Sequence, residues 1–82
     1  MVFTQWQATE RARIAGLEER FARLPAAQHE ERRQLAAQIA DSLRFLSMKV
    51  RSAELCDGLD RLARRWERTE RREYDAVCSR AD

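Results

Sequence analysis

Glycine, proline and histidine are scarce in this chain, and long apolar runs are missing altogether. Its 82 residues include two glycines (Gly16, Gly58), one proline (Pro25) and one histidine (His29). Turn formers this few and this widely spaced exclude the strand-and-turn rhythm of an all-β or α/β fold. A lone histidine in a polar stretch suggests no Ser-His-Asp or Cys-His arrangement, and no glycine-rich loop is there to cradle a phosphate. No catalytic residue is therefore expected, and the chain reads as no enzyme. No segment approaches the ~18 consecutive apolar residues of a membrane span. Met1 to Arg13 carries Glu10 and no apolar segment, unlike a secretory signal. The expected location is the cytosol.

Cysteine is also sparse. Cys56 and Cys78 read as reduced thiols and small apolar side chains. At opposite ends of a last helix they would stand about 30 Å apart, too far for a disulfide. With His29 they form none of the short spacings of a zinc site, so no metal and no cofactor is expected.

What remains is rich in Ala, Arg, Glu, Gln and Leu, all strong helix formers. The expected fold is all-α, one domain over residues 1–82. Charged residues make up 37% of the chain, yet the net charge is only +2. Acids and bases interleave along the whole length, and no segment has the basic excess of a nucleic-acid arm. Arginine supplies fifteen of the sixteen bases, Lys49 being the exception. With the many alanines, this suggests a GC-rich bacterial or bacteriophage coding sequence.

Three amphipathic helices are expected, over roughly residues 4–23, 26–56 and 59–79. Thr4 to Gln7 fits a capping box, with Phe3 as the staple residue before it. Pro25 disfavours helix at Leu24 and suits the first turn of the next helix. Large apolar residues of the first helix are Trp6, Ile14, Leu17, Phe21 and Leu24, and Ala8, Ala12, Ala15 and Ala22 form a small-residue face. The second helix carries a main stripe of Leu35, Ile39, Leu43, Leu46, Val50 and Ala53, and a second of Phe45, Met48 and Leu55. Two apolar faces place it between the other helices or against a second subunit. Asp57-Gly58 is the turn signal before the third helix, with Gly58 as the left-handed residue. Without that turn, Phe45, Met48, Ser52, Leu55, Leu59, Leu62 and Trp66 would continue as one very long second helix forming an intermolecular coiled coil. A second helix of about 30 residues outruns its neighbours by about 15 Å. The excess apolar surface predicts a homodimer.

The functional information lies in Leu59 to Val77. At 100° per residue, Leu59, Leu62, Ala63, Trp66, Tyr74 and Val77 share one side. Arg61, Arg64, Arg65, Arg68, Arg71 and Arg72 share the other, within an arc of roughly 120°. Guanidinium forks match carboxylate and phosphate geometry. The plain alternative is a solvated face, since Asp57–Arg61, Asp60–Arg64, Glu67–Arg71 and Arg71–Asp75 are available as i,i+4 pairs. Trp66 and Tyr74 point away from the arginines, so stacking on bases is not supported. Trp6 sits where the first apolar stripe is least continuous, beside Glu10 and Arg13, and is the aromatic expected at an interface. The reading is a small helical protein-binding module: an adaptor, regulator or inhibitor of a larger macromolecule, whose partner presents an acidic surface. The alternatives are a nucleic-acid-associated regulator using the arginine stripe, and a structural coiled-coil subunit.

Overall fold

A computed structural model describes the backbone of residues 2–80 and the side chains of residues 7–79. It contains three helices in sequence: α1 (Val2–Arg23), α2 (His29–Lys49) and α3 (Ala53–Arg80). Among the described residues no strand is present, and no helix is long and apolar enough to cross a membrane. The all-α, three-helix bundle expected from the sequence is the observed fold.

α2 is central. It packs against α1 on one flank and α3 on the other, while among the described residues no Cα of α1 comes within 8 Å of one of α3. Arg13 of α1 reaches Ser42 of α2 while Arg32 of α2 reaches back to Leu24 just past α1, and Arg44 and His29 of α2 reach Asp60 and Glu73 of α3, so both neighbours run antiparallel to α2. The result is a flattened layer, with extents of 51 × 21 × 13 Å.

The core follows the main α2 stripe. Leu35, Ile39, Leu43 and Leu46 are buried with Ile14 and Leu17 of α1 and Ala63 of α3. Phe21, Leu24, Leu59 and Trp66 close over this cluster. Small residues beside the α2 stripe, Ala36, Ala40, Ser42 and Ser47, are buried too. They let flanking helices approach closely. Ala8, Ala12, Ala15 and Ala22 are instead exposed.

The helix ends differ from expectation. α1 begins at Val2, so Thr4 lies inside it rather than at its cap, a shift of the size common at helix termini. The side chains of Phe3, Thr4 and Trp6 lie outside the described residues. Pro25 does not start α2. Its carbonyl accepts the Gln28 N–H at 3.0 Å, closing a turn before the helix opens at His29. Glu30 and Glu31 then sit in the first turn, where the helix dipole favours them.

The second connection is at Val50 to Ser52, not at Asp57-Gly58. Val50 is extended, at φ −88° and ψ 148°, although its N–H still reaches the Leu46 carbonyl. The Ser52 hydroxyl accepts the Leu55 N–H at 3.4 Å and its carbonyl the Cys56 N–H at 2.9 Å, which starts α3. Ser52 is thus an N-cap, followed by Glu54 in the first turn. Gly58 has no positive φ and is an ordinary helical residue. The break also rules out the continuous long helix of the coiled-coil alternative. With α2 at 21 residues and α1 at 22, the middle helix no longer outruns its neighbours. The length argument for a homodimer therefore loses its premise. The second stripe is not covered either: Phe45, Met48 and Leu55 remain exposed.

Candidate interaction surface

The arginine stripe starts from how α3 is held. Its inward arc presents Leu59, Ala63 and Trp66 to the core, and between them come the acids Asp60, Glu67, Glu70 and Glu73. All four acids turn to bases of α2. Arg44 grips Glu67 with two hydrogen bonds, at 2.9 and 3.1 Å, and reaches Asp60 at 3.3 Å. Arg33 stands 3.8 Å from Glu70. Glu73 accepts from Arg32 Nε at 2.9 Å and from His29 Nδ1 at 2.6 Å. A carboxylate can only accept, so the His29 ring donates from Nδ1. Arg32 also lies over the Phe21 ring, 4.2 Å from its centroid, and donates to the Leu24 carbonyl.

These pairings leave their mark on the acids. The Arg44 hydrogen bond is the main reason that the Glu67 carboxyl is held below the usual carboxylate range. At Glu73 burial pushes the carboxyl up, but the hydrogen bonds from His29 and Arg32, with their charge, outweigh it and leave the group lowered. Ser47 adds a further tie, donating to Asp60 at 2.9 Å.

The outer arc of α3 is left with little compensation. Arg61, Arg64, Arg65, Arg68, Arg71 and Arg72 are all exposed. Of the four i,i+4 pairs the sequence offers, only Arg71–Asp75 forms, at 3.5 Å. Asp60 and Glu67, which would serve Arg64 and Arg71, are committed to Arg44 instead. Arg72 donates to the Thr69 hydroxyl at 3.4 Å. Arg61, Arg65 and Arg68 have no hydrogen bond or ion pair among the described residues, and Arg64 acts on Glu67 only through its field. The outer face is therefore a cationic strip about 17 Å long from Arg61 to Arg72.

The apolar side of α3 is less complete than its periodicity implies. Trp66 meets Phe21 edge-on at 5.0 Å, and this ring pair bridges α1 and α3 over α2. Leu62 and Tyr74, assigned to the apolar side, are exposed instead. Apart from the Trp66–Phe21 contact α3 is covered mainly from the α2 side, so residues at the edges of its apolar arc stay in solvent. Trp6, the other expected interface residue, has a side chain outside the described residues.

Among the described residues no group of three His, Cys, Asp or Glu side chains is placed to hold a metal ion. Cys56 and Cys78 both belong to α3, about 33 Å apart along its axis. Cys56 contacts Ser47 at 3.2 Å, and Cys78 is exposed beside Tyr74. No protein-family model matches the chain, and no curated protein or solved structure matches it either.

Proposed function

We propose that this protein is a non-enzymatic helical binding module whose arginine face on α3 docks to an acidic surface of a partner protein. The observation that carries the reading is the inward commitment of Asp60, Glu67, Glu70 and Glu73 to α2. A merely solvated stripe would draw on Asp60 and Glu67 for i,i+4 relief of Arg64 and Arg71. Here they bind the bundle together, and the outer arginines face solvent with a strong demand for anions. Exposed Leu55 and Leu62 border the same helix. A protein partner can cover them, whereas a nucleic-acid backbone offers nothing apolar in return.

The test compares the wild-type chain with the combined variant Arg61→Gln, Arg64→Gln and Arg68→Gln, which keeps helix propensity and removes three charges. Fluorescence anisotropy follows binding of a labelled glutamate-rich peptide and of a labelled DNA duplex. The expected result is peptide binding that the variant weakens at least fivefold, with reduced salt sensitivity. Equal peptide affinity for both proteins refutes the reading. Tighter binding to the duplex, with a log–log salt slope that falls by about 0.9 per lost phosphate contact, moves it to nucleic acid.

A further inference from the structure

Two recesses open between α1 and α3, and they share Glu18 and Leu62, so they form one groove along the seam above α2. Its two ends differ in chemistry. The wide end, about 610 Å³, has Leu43 and Leu46 as its floor, Ala15 on the α1 wall and Leu55 and Leu62 on the α3 wall. The floor belongs to the core, but Leu55 is 59% and Leu62 43% exposed. The narrow end, about 420 Å³, is walled by Phe21 and Trp66 and rimmed by Arg65, Arg72 and Thr69. Glu73 and Arg32 at this end satisfy one another. Arg65 has no ion pair among the described residues and Arg72 none beyond its bond to Thr69. The wide end carries Arg11 against Glu18 and Glu54, a net charge of −1, whereas the narrow end sets Arg32, Arg65 and Arg72 against Glu18 and Glu73, a net charge of +1.

We propose that this seam groove receives an amphipathic α-helix of a partner protein, apolar where it meets Leu55 and Leu62 and bearing carboxylates where it meets Arg65 and Arg72. This deepens the reading of the arginine face as a contact with an acidic protein, and rests on it. The charge pattern selects the occupant. Arg65 and Arg72 are two helical turns apart, about 10 Å, which matches carboxylates spaced seven residues apart on a facing helix. An apolar helical stripe laid between two helices is a recurring mode of peptide recognition. A second copy of this chain fits less well. The apolar stripes of α1 and α2 and the inward arc of α3 are already committed to its own core. Among the described residues Phe45, Met48 and Leu55, exposed apolar side chains of a folded copy, straddle the break between α2 and α3 and form no continuous helical stripe.

Gly58 gives a direct test. It lines the wide end, its backbone is helical, and a Cβ added there meets nothing within 4 Å. Gly58→Phe is chosen to put a ring into the wide end from a position where the Cβ has open space. The probe is a labelled synthetic 18-residue peptide with leucines at i, i+3, i+4 and i+7 and glutamates over its last two turns. A control peptide carries lysine in place of each glutamate. Binding to the full chain is read by anisotropy, folding by circular dichroism melts and mass by light scattering. The glutamate peptide should bind at least tenfold tighter than the control. Gly58→Phe should weaken it at least tenfold with no loss of melting temperature, and Arg65→Gln with Arg72→Gln at least fivefold. Should Gly58→Phe melt early, Leu62→Gln on the exposed wall replaces it with the same expectation. Unchanged binding in the filled variant, or equal binding of the lysine peptide, overturns the proposal. If binding ignores Gly58→Phe but falls with Arg61→Gln, Arg64→Gln and Arg68→Gln, the arginine face stands and the groove falls. If it ignores both, both fall. A wild-type particle whose mass halves in Gly58→Phe assigns the groove to a second copy and also overturns the proposal.

Discussion

Replacing Gly58 with alanine should stabilise the protein, and the sign of that change tests the helix assignment. Gly58 is the sixth residue of α3, counted from Ala53, and its φ is not positive. A methyl group there would touch no neighbour. Nothing in the folded state is lost, so two generic effects remain. Alanine has higher helix propensity, and the unfolded chain loses freedom; glycine inside a helix is worth about 0.8–1 kcal/mol less than alanine. For a chain of this length, about 1 kcal/mol corresponds to a rise in Tm of roughly 4–8 °C. If Gly58 instead ended a second helix in the left-handed region, the same methyl would cost about 1–2 kcal/mol. The paired variant Ser52→Ala carries the opposite sign. It removes the hydroxyl that caps the Leu55 N–H, and since that bond is long, at 3.4 Å, the loss belongs near the low end of cap energies. About 0.5–1 kcal/mol is expected. Urea titrations followed by circular dichroism measure both. A lowered midpoint for Gly58→Ala, or an unchanged one for Ser52→Ala, would show that the turn is not at Val50 to Ser52.

Two further outcomes follow from the core and the ion pairs. Leu46→Ala should lose about 2–5 kcal/mol, because Leu46 is 2% exposed in the central stripe and a cavity adds to the lost transfer energy; a loss below about 1 kcal/mol in the same titration contradicts its place in the core. Acid should loosen the α2–α3 seam. The folded Glu73 and Glu67 carboxyls lie below their unfolded values, so their stabilisation is complete above the unfolded carboxyl value of about 4.3 and is lost as pH falls through the folded values. Urea midpoints should drop between about pH 5 and pH 3, and Glu73→Gln should flatten that drop; an acid limb of undiminished steepness in the variant refutes the role of Glu73.

Much of the bundle is legible in the sequence because it rests on periodicity. Leu35, Ile39, Leu43 and Leu46 recur at helical spacing and are all buried, as are Ile14 and Leu17. The central place of α2 was legible as well, though for a partly mistaken reason. α2 contacts two neighbours through one broad arc widened by Ala36, Ala40, Ser42 and Ser47, not through a second stripe at Phe45 and Met48. Glycine misled the reading of the second turn. A dipeptide of turn formers looks decisive along the sequence, yet one helical glycine costs only about 1 kcal/mol against alanine, which a cap and a packed face easily offset. The signal that located the true break was Ser52 with Glu54 two residues later, hidden because Ser52 also falls on the apolar spacing.

The site was legible as a stripe and illegible as a field. Sequence spacing offers Asp60 to Arg64 and Glu67 to Arg71 on equal terms with any partner across the bundle. The choice is made by Arg44, whose planar fork meets both oxygens of Glu67 and also reaches Asp60. A bidentate pair across the helix seam wins over a single i,i+4 pair worth a few tenths of a kcal/mol. No local pattern announces that competition.

The outcome sets stability against binding along α3. Arg68 has Arg64 and Arg65 behind it and Arg71 and Arg72 ahead, at the three- and four-residue spacings where side chains on a helix meet. Like charges at those spacings destabilise a helix, and Asp60 and Glu67, which could relieve Arg64 and Arg71, are engaged on α2. A face with no task would be more stable with glutamine at these positions. The variant Arg61→Gln, Arg64→Gln and Arg68→Gln should therefore melt higher than the wild type at low salt while it binds the acidic probe less well, the pattern of a functional surface maintained against stability. Added salt should narrow the gap in melting temperature by screening the repulsion, and should weaken wild-type binding over the same range. A variant that melts lower than the wild type at low salt would mean that the arginines support the helix, and the argument from their repulsion would fail.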